Sequence, residues 1–396
     1  NLQFIWLNDN FTYVNYKNTN MKILHISNTD IRYDSRILKE LDVLTNIDTY
    51  DVYAIGVKNT WEKASCSEIP INAKIYNINC LFNNFRRMPR TIRYTLYIIE
   101  LSIKIFLRAI KNKPKIIHCH DTMVSPAGVL IKIFTKSKLI YDAHELESNK
   151  NGQTAILSKA TLYIERKCWH YIDHFISVSP SIITWYENKL GAKSNSLILN
   201  SPYIKENFSI TEKYFHRLYD IPHDKLIFIY LGAFGYGRGI NIILSAFSNE
   251  KINSHVVFIG YGFLENKIKE ASEKYSHIHL HKPIPHEEIV PLVKNANIGL
   301  CLIENVSLSD YYSLPNKLFE YSFARLPVLA SNFPNISKIV NQYKLGKCCE
   351  VNTDSVINTI IEFEKSPPSP VIADLTELGW KKQAEKLTNL YQTLLE

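Results

Sequence analysis

The strongest constraint in this sequence is an alternation of short apolar runs with longer connecting segments, which repeats in two separate series. Apolar runs predict a first set of strands at residues 22–27, 51–57, 115–119, 138–142 and 174–178. A second set is predicted at residues 225–232, 255–262, 277–281 and 298–303. Because helical or loop segments separate the strands, each series predicts a parallel sheet. The sequence therefore indicates an α/β protein with two doubly wound, Rossmann-like domains, whose ligands bind beyond the carboxyl ends of the strands.

The length of the chain supports the same division. With 396 residues it exceeds what one hydrophobic core usually organises. We expect an amino-terminal domain at residues 21–203, a carboxy-terminal domain at 204–370 and a last amphipathic helix within 371–396. Residues 1–20, rich in asparagine, precede Met21 and are interpreted as an extension or an artefact outside the fold.

Composition narrows the class of protein and its partners. A hydrophobic fraction of 46% and a charged fraction of 21% are typical of a soluble globular protein, and the net charge of +8 predicts an anionic partner. The seven cysteines show no Cys-x-x-Cys spacing, so we interpret them as reduced packing residues of a cytoplasmic protein. No apolar run reaches the roughly 18 residues of a membrane-spanning helix, and no signal peptide is evident.

Polar side chains cluster where three predicted strands of the first domain end. The carboxyl ends of parallel strands meet at one edge of a sheet, where a crevice binds ligands. A single histidine there is more often a hydrogen-bonded structural residue, but three clusters together favour a functional site. The clusters are Asp30, Asp34 and Arg36; His118, His120 and Asp121; and Asp142, His144 and Glu145.

The run His-Cys-His-Asp at residues 118–121 also raises the question of a metal. Alternation along a strand places only His118 and His120 on one face, and no further set of ligands is legible in the sequence. We therefore expect no metal.

Glycine-rich turns follow two predicted strands of the second series, at residues 232–239 and 260–262. Glycines let backbone N–H groups approach phosphate oxygens closely, and an arginine supplies a planar charged fork for them. Gly260 and Gly262 are not followed by the third glycine of the dinucleotide fingerprint, because residue 265 is a glutamate. This absence argues against a hydride-transfer enzyme. The expected phosphate-binding surface consists of Gly232, Gly237, Arg238, Gly260 and Gly262.

A helix start with unusual charge follows the last predicted strand. Pro315 suits the first turn of a helix, and Asn316, Lys317 and Glu320 come next. A helix start attracts anions, a lysine there adds a full charge for a phosphate, and a carboxylate one turn later can accept hydrogen bonds from sugar hydroxyls. The alternative is a solvated pair of Lys317 and Glu320 on an amphipathic helix.

The segment at residues 84–115 is strongly basic. From Arg86 to Lys115 it has nine basic residues and one acid, Glu100, a local net charge of +8. Basic residues with aromatic and branched apolar neighbours on a helix suit an anionic bilayer surface. The alternative is a helix that covers the sheet and has basic ends. The segment lacks a recognisable nucleic-acid module, so no nucleic-acid partner is expected.

Several motifs resemble those of one enzyme family. Pro-Asn-Lys-Leu-Phe-Glu-Tyr at 315–321, followed by Leu-Pro-Val-Leu-Ala-Ser at 326–331, resembles the donor-site motif of glycosyltransferase family four, retaining group 1 type enzymes with the GT-B fold. The segments at 34–40, 118–121 and 141–145 resemble amino-terminal motifs of that family. The resemblance covers Met21 to Glu396. It implies two Rossmann-like domains that face a cleft, with a last helix that crosses back to the first domain.

The resemblance also implies roles for single residues. A glutamate at the position of Glu320 holds the ribose hydroxyls of the donor nucleotide, and a histidine at the position of His120 reaches the donor sugar, with His118 as the alternative. The expected catalytic residues are His120, Arg238, Lys317 and Glu320. The expected donor site adds to the phosphate-binding surface Pro315, Asn316, Lys317, Leu318 and Glu320. The expected acceptor side consists of Asp34, Arg36, Asp121, His144 and Glu145.

The chain departs from the family pattern at two positions. The family has a second glutamate eight positions before Glu320, where this chain has Tyr312, with Asp310 the nearest acid. Many members have an arginine where this chain has Ala233. These departures keep open a non-catalytic, transferase-like partner subunit. A GT-B nucleotide-sugar epimerase is a further alternative.

The sequence thus predicts a retaining glycosyltransferase. It would move a hexose or N-acetylhexosamine from a nucleotide diphosphate sugar, a UDP-sugar before a GDP-sugar, to a glycan or lipid-linked acceptor in surface polysaccharide synthesis. No cofactor or metal is expected to be required. The basic segment at 84–115 predicts peripheral contact with an anionic membrane, at the inner face of the cell membrane.

Overall fold

The computed structural model describes residues 20–58, 72–82, 85, 87–203, 212–285 and 288–396. The predicted extension at residues 1–19, positions 84 and 86 of the basic segment, and residues 204–211 between the expected domains lie outside these ranges. The described strands form two sheets, one from each predicted series, and every pair of neighbouring strands is parallel. The predicted α/β fold is therefore confirmed.

The first sheet has seven strands in the order β3-β2-β1-β4-β5-β6-β7. Its central strands are buried on both faces because helices cover both sides. The register sets His25 of β1 opposite His118 of β4, and His120 of β4 opposite Asp142 of β5. The strands are β1 Met21–Ser27, β2 Tyr50–Val57, β3 Lys74–Ile78, β4 Ile116–His120, β5 Lys138–Ala143, β6 His174–Ser177 and β7 Asn195–Leu197.

Five helices belong to this part of the chain, namely α1 Ser35–Thr45, α2 Arg90–Ala109, α3 Ser125–Thr135, α4 Ala155–Trp169 and α5 Pro180–Leu190. Helix α1 begins at an Asp34 cap, whose carboxylate accepts hydrogen bonds from the backbone N–H groups of Arg36 and Ile37.

Helix α2, which contains most of the basic segment, is apolar on two faces. One face packs into the core through the buried residues Tyr97, Leu101, Ile105 and Ala109. The outer face exposes Ile92, Ile99, Ile103 and Leu107. Within the described ranges, no helix is long and apolar enough to cross a membrane.

The second sheet has six strands in the order β10-β9-β8-β11-β12-β13. They are β8 Ile227–Leu231, β9 His255–Ile259, β10 Ile278–His281, β11 Ile298–Cys301, β12 Val328–Ser331 and β13 Gly346–Cys349. The helices of this part are α6 Tyr214–Leu218, α7 Ile240–Phe247, α8 Glu265–Lys274, α9 Ile289–Val293, α10 Leu308–Tyr311, α11 Asn316–Phe323, α12 Pro334–Gln342 and α13 Thr353–Lys365.

The last helix, α14 Trp380–Leu395, crosses back to the first sheet. Its apolar face packs against α1, β1 and β2 through Trp380, Leu387, Leu390 and Tyr391. A polar contact fixes its start, because Gln383 Oε1 accepts a hydrogen bond from the N–H of Leu199 at 3.1 Å.

The segment between β11 and α11 holds the two sheets together from the other side. Ser309 Oγ accepts a hydrogen bond from the N–H of Leu146 at 3.1 Å, and Ser179 Oγ donates to the carbonyl of Tyr312 at 2.7 Å. Leu308 and Tyr312 also pack against the core of the first sheet. The carboxyl ends of both sheets therefore meet at one cleft.

The sequence pattern did not predict β3, β7, β12 and β13. Strands β3, β7 and β13 lie at or beside sheet edges, where partial exposure allows polar residues such as those in Gly-Lys-Cys-Cys. Strand β12 is buried but has only four residues, too few to show a period.

Candidate active site

A cavity of about 550 Å³ opens between the two sheets at their carboxyl ends. Both the glycine-rich turn after β8 and the start of α11 contribute to its wall. The predicted site residues that line it are His144, Glu145, Gly232, Arg238, Gly260, Pro315, Asn316, Lys317 and Glu320. The first two come from the first domain, so the cavity is shared by both domains.

Lys317 is the most informative side chain of this cavity. The residue is 8% exposed, and its ammonium has no hydrogen-bond partner among the described residues. The nitrogen lies 3.8 Å from the centroid of the Tyr230 ring. Burial lowers the pKa of Lys317 to about 8, because a buried cation without an anion is costly. Since the unpaired N–H groups at the start of α11 add positive potential, this wall of the cavity is suited to an anion.

Glu320 lies one turn further along α11. Burial raises the pKa of this carboxyl to about 7, against the opposing effect of the Lys39 and Lys317 ammonium groups. Lys39 comes from α1, is 2% exposed, and lies 4.7 Å from the ring centroid of Trp380. Its ammonium donates a hydrogen bond to Asn200 Oδ1 at 3.3 Å. Glu320 therefore lies in an electrostatic contact between the two domains.

Arg238 stands on the glycine-rich turn. Its Nη1 donates a hydrogen bond to Asp310 Oδ1 at 3.1 Å. Asp310 is 5% exposed and also accepts a hydrogen bond from Ser307 Oγ at 2.7 Å. The Arg238 side chain keeps 33% exposure, so part of the guanidinium is accessible from the cavity.

The glycine-rich turn depends on a close approach between two backbone segments. A Cβ on Gly260 would stand 2.0 Å from the carbonyl oxygen of Gly232, and Gly260 has a φ of +152°. The space beside Gly232 is taken up by Lys317, whose Nζ would lie 3.8 Å from a Cβ there. The glycine-rich turn thus lies beside the Lys317 side chain.

Tyr312, which replaces the expected second glutamate, does not line the cavity. Its ring packs against the core of the first sheet, and its carbonyl accepts hydrogen bonds from Ser179 Oγ at 2.7 Å and Asn335 Nδ2 at 2.8 Å. The nearest acid in sequence, Asp310, is instead the partner of Arg238.

A second cavity of about 480 Å³ adjoins the first on the side of the first domain. It shares Ser35, His144, Asn200 and Asn316 with the first cavity. Of the residues expected on the acceptor side, Asp34, Arg36 and His144 line it. Asp121 lines neither cavity, but its carboxylate accepts a hydrogen bond from the N–H of His144 at 3.2 Å.

His120 lies behind the cavity wall. Its exposure is 0%, and both ring nitrogens contact other histidines. His120 Nδ1 lies 3.2 Å from His144 Nε2, and His120 Nε2 lies 2.9 Å from His25 Nδ1. The structure thus brings His144 to the cavity and places His120, with the alternative residue His118, in the interior.

Arg36 is a buried residue at the base of this histidine cluster. Its side chain is 2% exposed and donates to both carboxylate oxygens of Asp142, at 3.0 and 3.1 Å. Arg36 Nε also lies 3.2 Å from Glu40 Oε1. Arg36 therefore stabilises the interior of the site and leaves the contact with a ligand to its neighbours.

Two groups of side chains among the described residues have the composition of a metal site. They are His25, Glu40, His118 and His120, and His120, Asp142 and His144, with ligand atoms within 4.8 Å of one another in each group. In the first group, the histidine nitrogens form hydrogen bonds among themselves, and a guanidinium stands beside Glu40. This arrangement is better suited to a hydrogen-bond network between the side chains than to a bound cation.

The sequence prediction included nine of the 25 residues that line the cavity and missed much of the structure that supports it. Leu318 is fully buried in the core, and Gly237 and Gly262 shape the turn without lining the cavity. His25, Lys39, Glu40 and Tyr391 were not predicted, because each occupies an ordinary position in a regular strand or helix. The one signal for His25 is its position in β1, where it lies beside the strand that carries the two predicted histidines.

Comparison with known proteins identifies the second domain. Residues 213–378 match the family model described as glycosyl transferases group 1. This domain belongs to the group 1 glycosyltransferases. The predicted class of enzyme, a glycosyltransferase, is confirmed, and the narrower assignment to family four is compatible with the match. No curated protein sequence matches the chain.

Solved structures with the same fold match both domains of this chain. Sucrose-phosphate synthase from Thermosynechococcus elongatus has a TM-score of 0.74 at 15% identity, over 95% of this chain and 99% of that chain. HepE from Anabaena, in complex with UDP and glucose, has a TM-score of 0.70 at 11% identity, over 94% and 100%. An E. coli trehalose-6-phosphate structure bound with UDP-2-fluoro glucose has a TM-score of 0.63 at 10% identity, over 94% and 95%.

The close approach at Gly260 yields a prediction about stability. We expect Gly260→Ala to lower the free energy of unfolding by roughly 3 kcal/mol, because strain at positive φ adds to a clash with the Gly232 carbonyl. Gly152→Ala is the matched control, since Gly152 also has a positive φ but no atom within 4 Å of its added Cβ. It should cost only about 1 kcal/mol. Urea unfolding measures both, and equal losses would contradict the proposed contact.

Proposed function

We propose that this protein is a retaining glycosyltransferase that moves a hexose or N-acetylhexosamine from a nucleotide diphosphate sugar to a glycan or lipid-linked acceptor in surface polysaccharide synthesis. The observation that carries the proposal is the Lys317 ammonium, which is buried without a hydrogen-bond partner among the described residues, at the start of a helix and on the wall of the cavity. A diphosphate would supply the anion that pairs with this ammonium.

The donor side of the cavity supports a diphosphate rather than a neutral ligand. Lys317 and Arg238 bring two positive charges to it, and the glycines of the turn let the backbone come close to Lys317. UDP is the favoured nucleotide and GDP the alternative. The UDP complexes of HepE and of the E. coli structure support this choice, since both proteins share the fold.

The proposed mechanism is electrostatic. When the bond between the anomeric carbon and the diphosphate oxygen breaks, negative charge grows on the leaving diphosphate, and Lys317, Arg238 and the start of α11 stabilise it. The acceptor oxygen forms the new bond to the anomeric carbon on the same face, and its proton passes to the leaving diphosphate. These steps need no metal ion, because the protein supplies the positive charge.

Glu320 is proposed to accept hydrogen bonds from the ribose of the donor. Its position one turn after Lys317 on α11 supports this role, since a nucleoside attached to a diphosphate at Lys317 would lie beside it. Lys39 approaches this carboxyl from the other domain, and burial lowers the pKa of its ammonium to about 7. The donor would therefore bind where the two domains already meet.

His144 is proposed to contact the donor sugar, the role that the resemblance implies for His120. His144 lines both cavities, whereas His120 is fully buried behind it. The acceptor is proposed to enter through the second cavity, past Asp34. Because His144, Asn200 and Asn316 belong to both cavities, an acceptor hydroxyl there would meet a donor sugar in the first cavity.

A lipid-linked acceptor would require contact with a membrane, and α2 and α3 provide a suitable surface. Their outer sides expose large apolar side chains, which we call the docking face: Ile92, Ile99, Ile103, Leu107, Leu130, Ile133 and Phe134. Exposed basic residues at the carboxyl ends of the same helices, among them Arg108, Lys111 and Lys136, complement anionic lipids. We propose that this face holds the enzyme at the inner face of the cell membrane.

A nucleotide-release assay tests the function. The purified protein is incubated with a panel of UDP- and GDP-sugars and with lipid-linked acceptor extract, and release of the nucleoside diphosphate is measured. We expect release that depends on the acceptor, and Lys317→Ala should reduce the rate about a hundredfold, as loss of one transition-state donor does. Glu320→Ala should weaken donor binding.

Lys269→Ala, an exposed lysine on α8, is the matched control and should leave the rate unchanged. Tight donor binding without release under any acceptor would favour the non-catalytic partner subunit. Conversion of one nucleotide sugar into another without an acceptor would favour an epimerase.

The buried ammonium also predicts how UDP affinity depends on pH. Because the pKa of Lys317 is lowered to about 8, the free protein loses this positive charge as the pH rises through 8. Calorimetry should show full affinity at pH 7 and a fall of up to about tenfold per pH unit above pH 8. In Lys317→Met the affinity at pH 7 should already be low, and this part of the fall should vanish. A fall of the same size in Lys317→Met would contradict the assignment.

The docking face is tested with lipid vesicles. We expect the protein to sediment with vesicles that contain phosphatidylglycerol, less with pure phosphatidylcholine, and weakly after Ile103→Glu combined with Leu107→Glu. Ile372→Glu changes an exposed isoleucine of the second domain and should leave binding intact. Equal loss in both variants, or no vesicle binding at all, would refute the docking face.

A further inference from the structure

A chain of hydrogen bonds links the cavity to the last helix through four histidines. It runs from His144 to His120 and from His120 to His25, at 3.2 and 2.9 Å. The hydroxyl of Tyr391 on α14 then contacts His25 Nε2 at 3.0 Å and His118 Nδ1 at 2.8 Å. All members except His144 have 0% exposure, so they must satisfy one another.

Asp142 lies beside both ends of this chain of hydrogen bonds. The Oδ2 of this carboxylate lies 3.3 Å from His144 Nε2 and 3.6 Å from His118 Nε2. Burial opposes ionisation of Asp142, but Arg36 and His144 hold the pKa of this carboxyl well below its usual range. An ionised carboxylate only accepts hydrogen bonds, so the nearer ring nitrogen, His144 Nε2, carries a proton.

The proton on His144 Nε2 determines the positions of the others. His120 accepts from it at Nδ1, so a neutral His120 carries its own proton on Nε2 and donates to His25 Nδ1. A neutral His25 then donates from Nε2 to the Tyr391 hydroxyl, which donates its single proton to His118 Nδ1. Burial lowers the pKa of both His25 and His120 well below the usual value, which agrees with their neutral forms.

We propose that Tyr391 is a positioning residue for His144. Its hydroxyl joins the two halves of the chain, and the complete chain holds His144 with Nε2–H toward the interior and leaves Nδ1 for a ligand in the cavities. The inference rests on the proposed function in one respect, because it takes these cavities to be the substrate site. The proposal gives Tyr391, a residue of the crossing helix α14 that does not line the cavity, a role in that site.

A metal ion is the competing occupant of the same cluster. Both Glu40 oxygens and His118 Nε2 have no hydrogen-bond partner among the described residues, as an absent ligand would leave them. A metal would require unprotonated His25 Nδ1 and His120 Nε2, yet these atoms lie 2.9 Å apart, where one proton must stand between them. Arg36 and protonated His144 also balance Glu40 and Asp142, so a divalent ion would leave about two uncompensated charges in the interior.

The charged groups around His144 favour its doubly protonated form. Burial opposes the charge, but the carboxylates of Asp121 and Asp142 raise the pKa of His144 to about 10, against the guanidinium of Arg36. Lys317 and Glu320 line the opposite wall of the cavity. At neutral pH, Nδ1 of His144 is thus a donor for a sugar or phosphate oxygen.

The tautomers can be measured in the unaltered protein without any substrate. NMR spectra of protein labelled with ¹⁵N-histidine, assigned with single His→Gln variants, distinguish the ring nitrogen that carries the proton. We expect His25, His118 and His120 to be neutral with the proton on Nε2, and His144 to carry two protons at pH 7. A proton on Nδ1 of any of the three neutral rings, or a change in their signals on addition of zinc, would overturn the proposal.

Tyr391→Phe tests the link itself. The ring keeps its place in the apolar cluster, but His25 and His118 lose their common partner. We expect mixed tautomers at these two histidines and a proton affinity of His144 lowered about tenfold, the equivalent of one hydrogen bond. In the transfer assay, kcat should fall about tenfold, while the affinity for UDP stays unchanged.

Tyr50→Phe is the matched control. Tyr50 lies in the same cluster, 6.5 Å from the Tyr391 ring, and its hydroxyl makes no hydrogen bond to these histidines. Equal effects of the two variants, or an unchanged His144 in Tyr391→Phe, would refute the positioning role. If the proposed function is wrong, the protein transfers no sugar, but the tautomers measured by NMR still show whether the chain of histidine hydrogen bonds exists.

Discussion

The ion pair between Arg36 and Asp142 is the interaction on which the first domain's part of the site depends. The guanidinium is buried, donates to both carboxylate oxygens and also reaches the carbonyl of Ile198 at 3.0 Å, so it ties α1 to β5 and to the segment after β7. Removal of either partner would leave an uncompensated charge in the interior, which is far more costly than loss of a surface pair. The same carboxylate anchors His144 and His118. The geometry of the histidine cluster therefore follows from this pair.

The second domain treats charge in the opposite way. Where Arg36 and Asp142 form a pair in the first domain, the second leaves the Lys317 ammonium without a hydrogen-bond partner among the described residues, beside a helix start and a glycine-rich turn. Such an arrangement costs free energy in the free protein, and a bound anion recovers it. Lys39 and Glu320 join the two electrostatic systems across the cleft.

Local signals in the sequence predicted several residues that line the first cavity. Lys317 and Gly232 were found because a proline, a helix start and spaced glycines have chemical meaning within a few residues. The family resemblance assigned contact with the donor sugar to His120, with His118 as the alternative, and that role stays a prediction. The strand pattern places His118 and His120 on one face, but helices α1 and α14 decide whether that face meets solvent or the interior. Glu40 was marked only as the last residue of the motif at 34–40, and Tyr391 had no local signal, since it is one more residue of an amphipathic helix.

The sequence by itself determined the two parallel sheets, the edge at which ligands bind and the groups that a phosphate would meet, because hydrophobic period and turn chemistry act over short distances. Only the tertiary structure decided which polar residues touch the cavity and which support it from behind. His25 and Tyr391 are 366 positions apart in the chain, yet their side chains are 3.0 Å apart. Contacts of this kind depend on how the last helix packs across the first sheet, and this packing depends on the shape of the whole core.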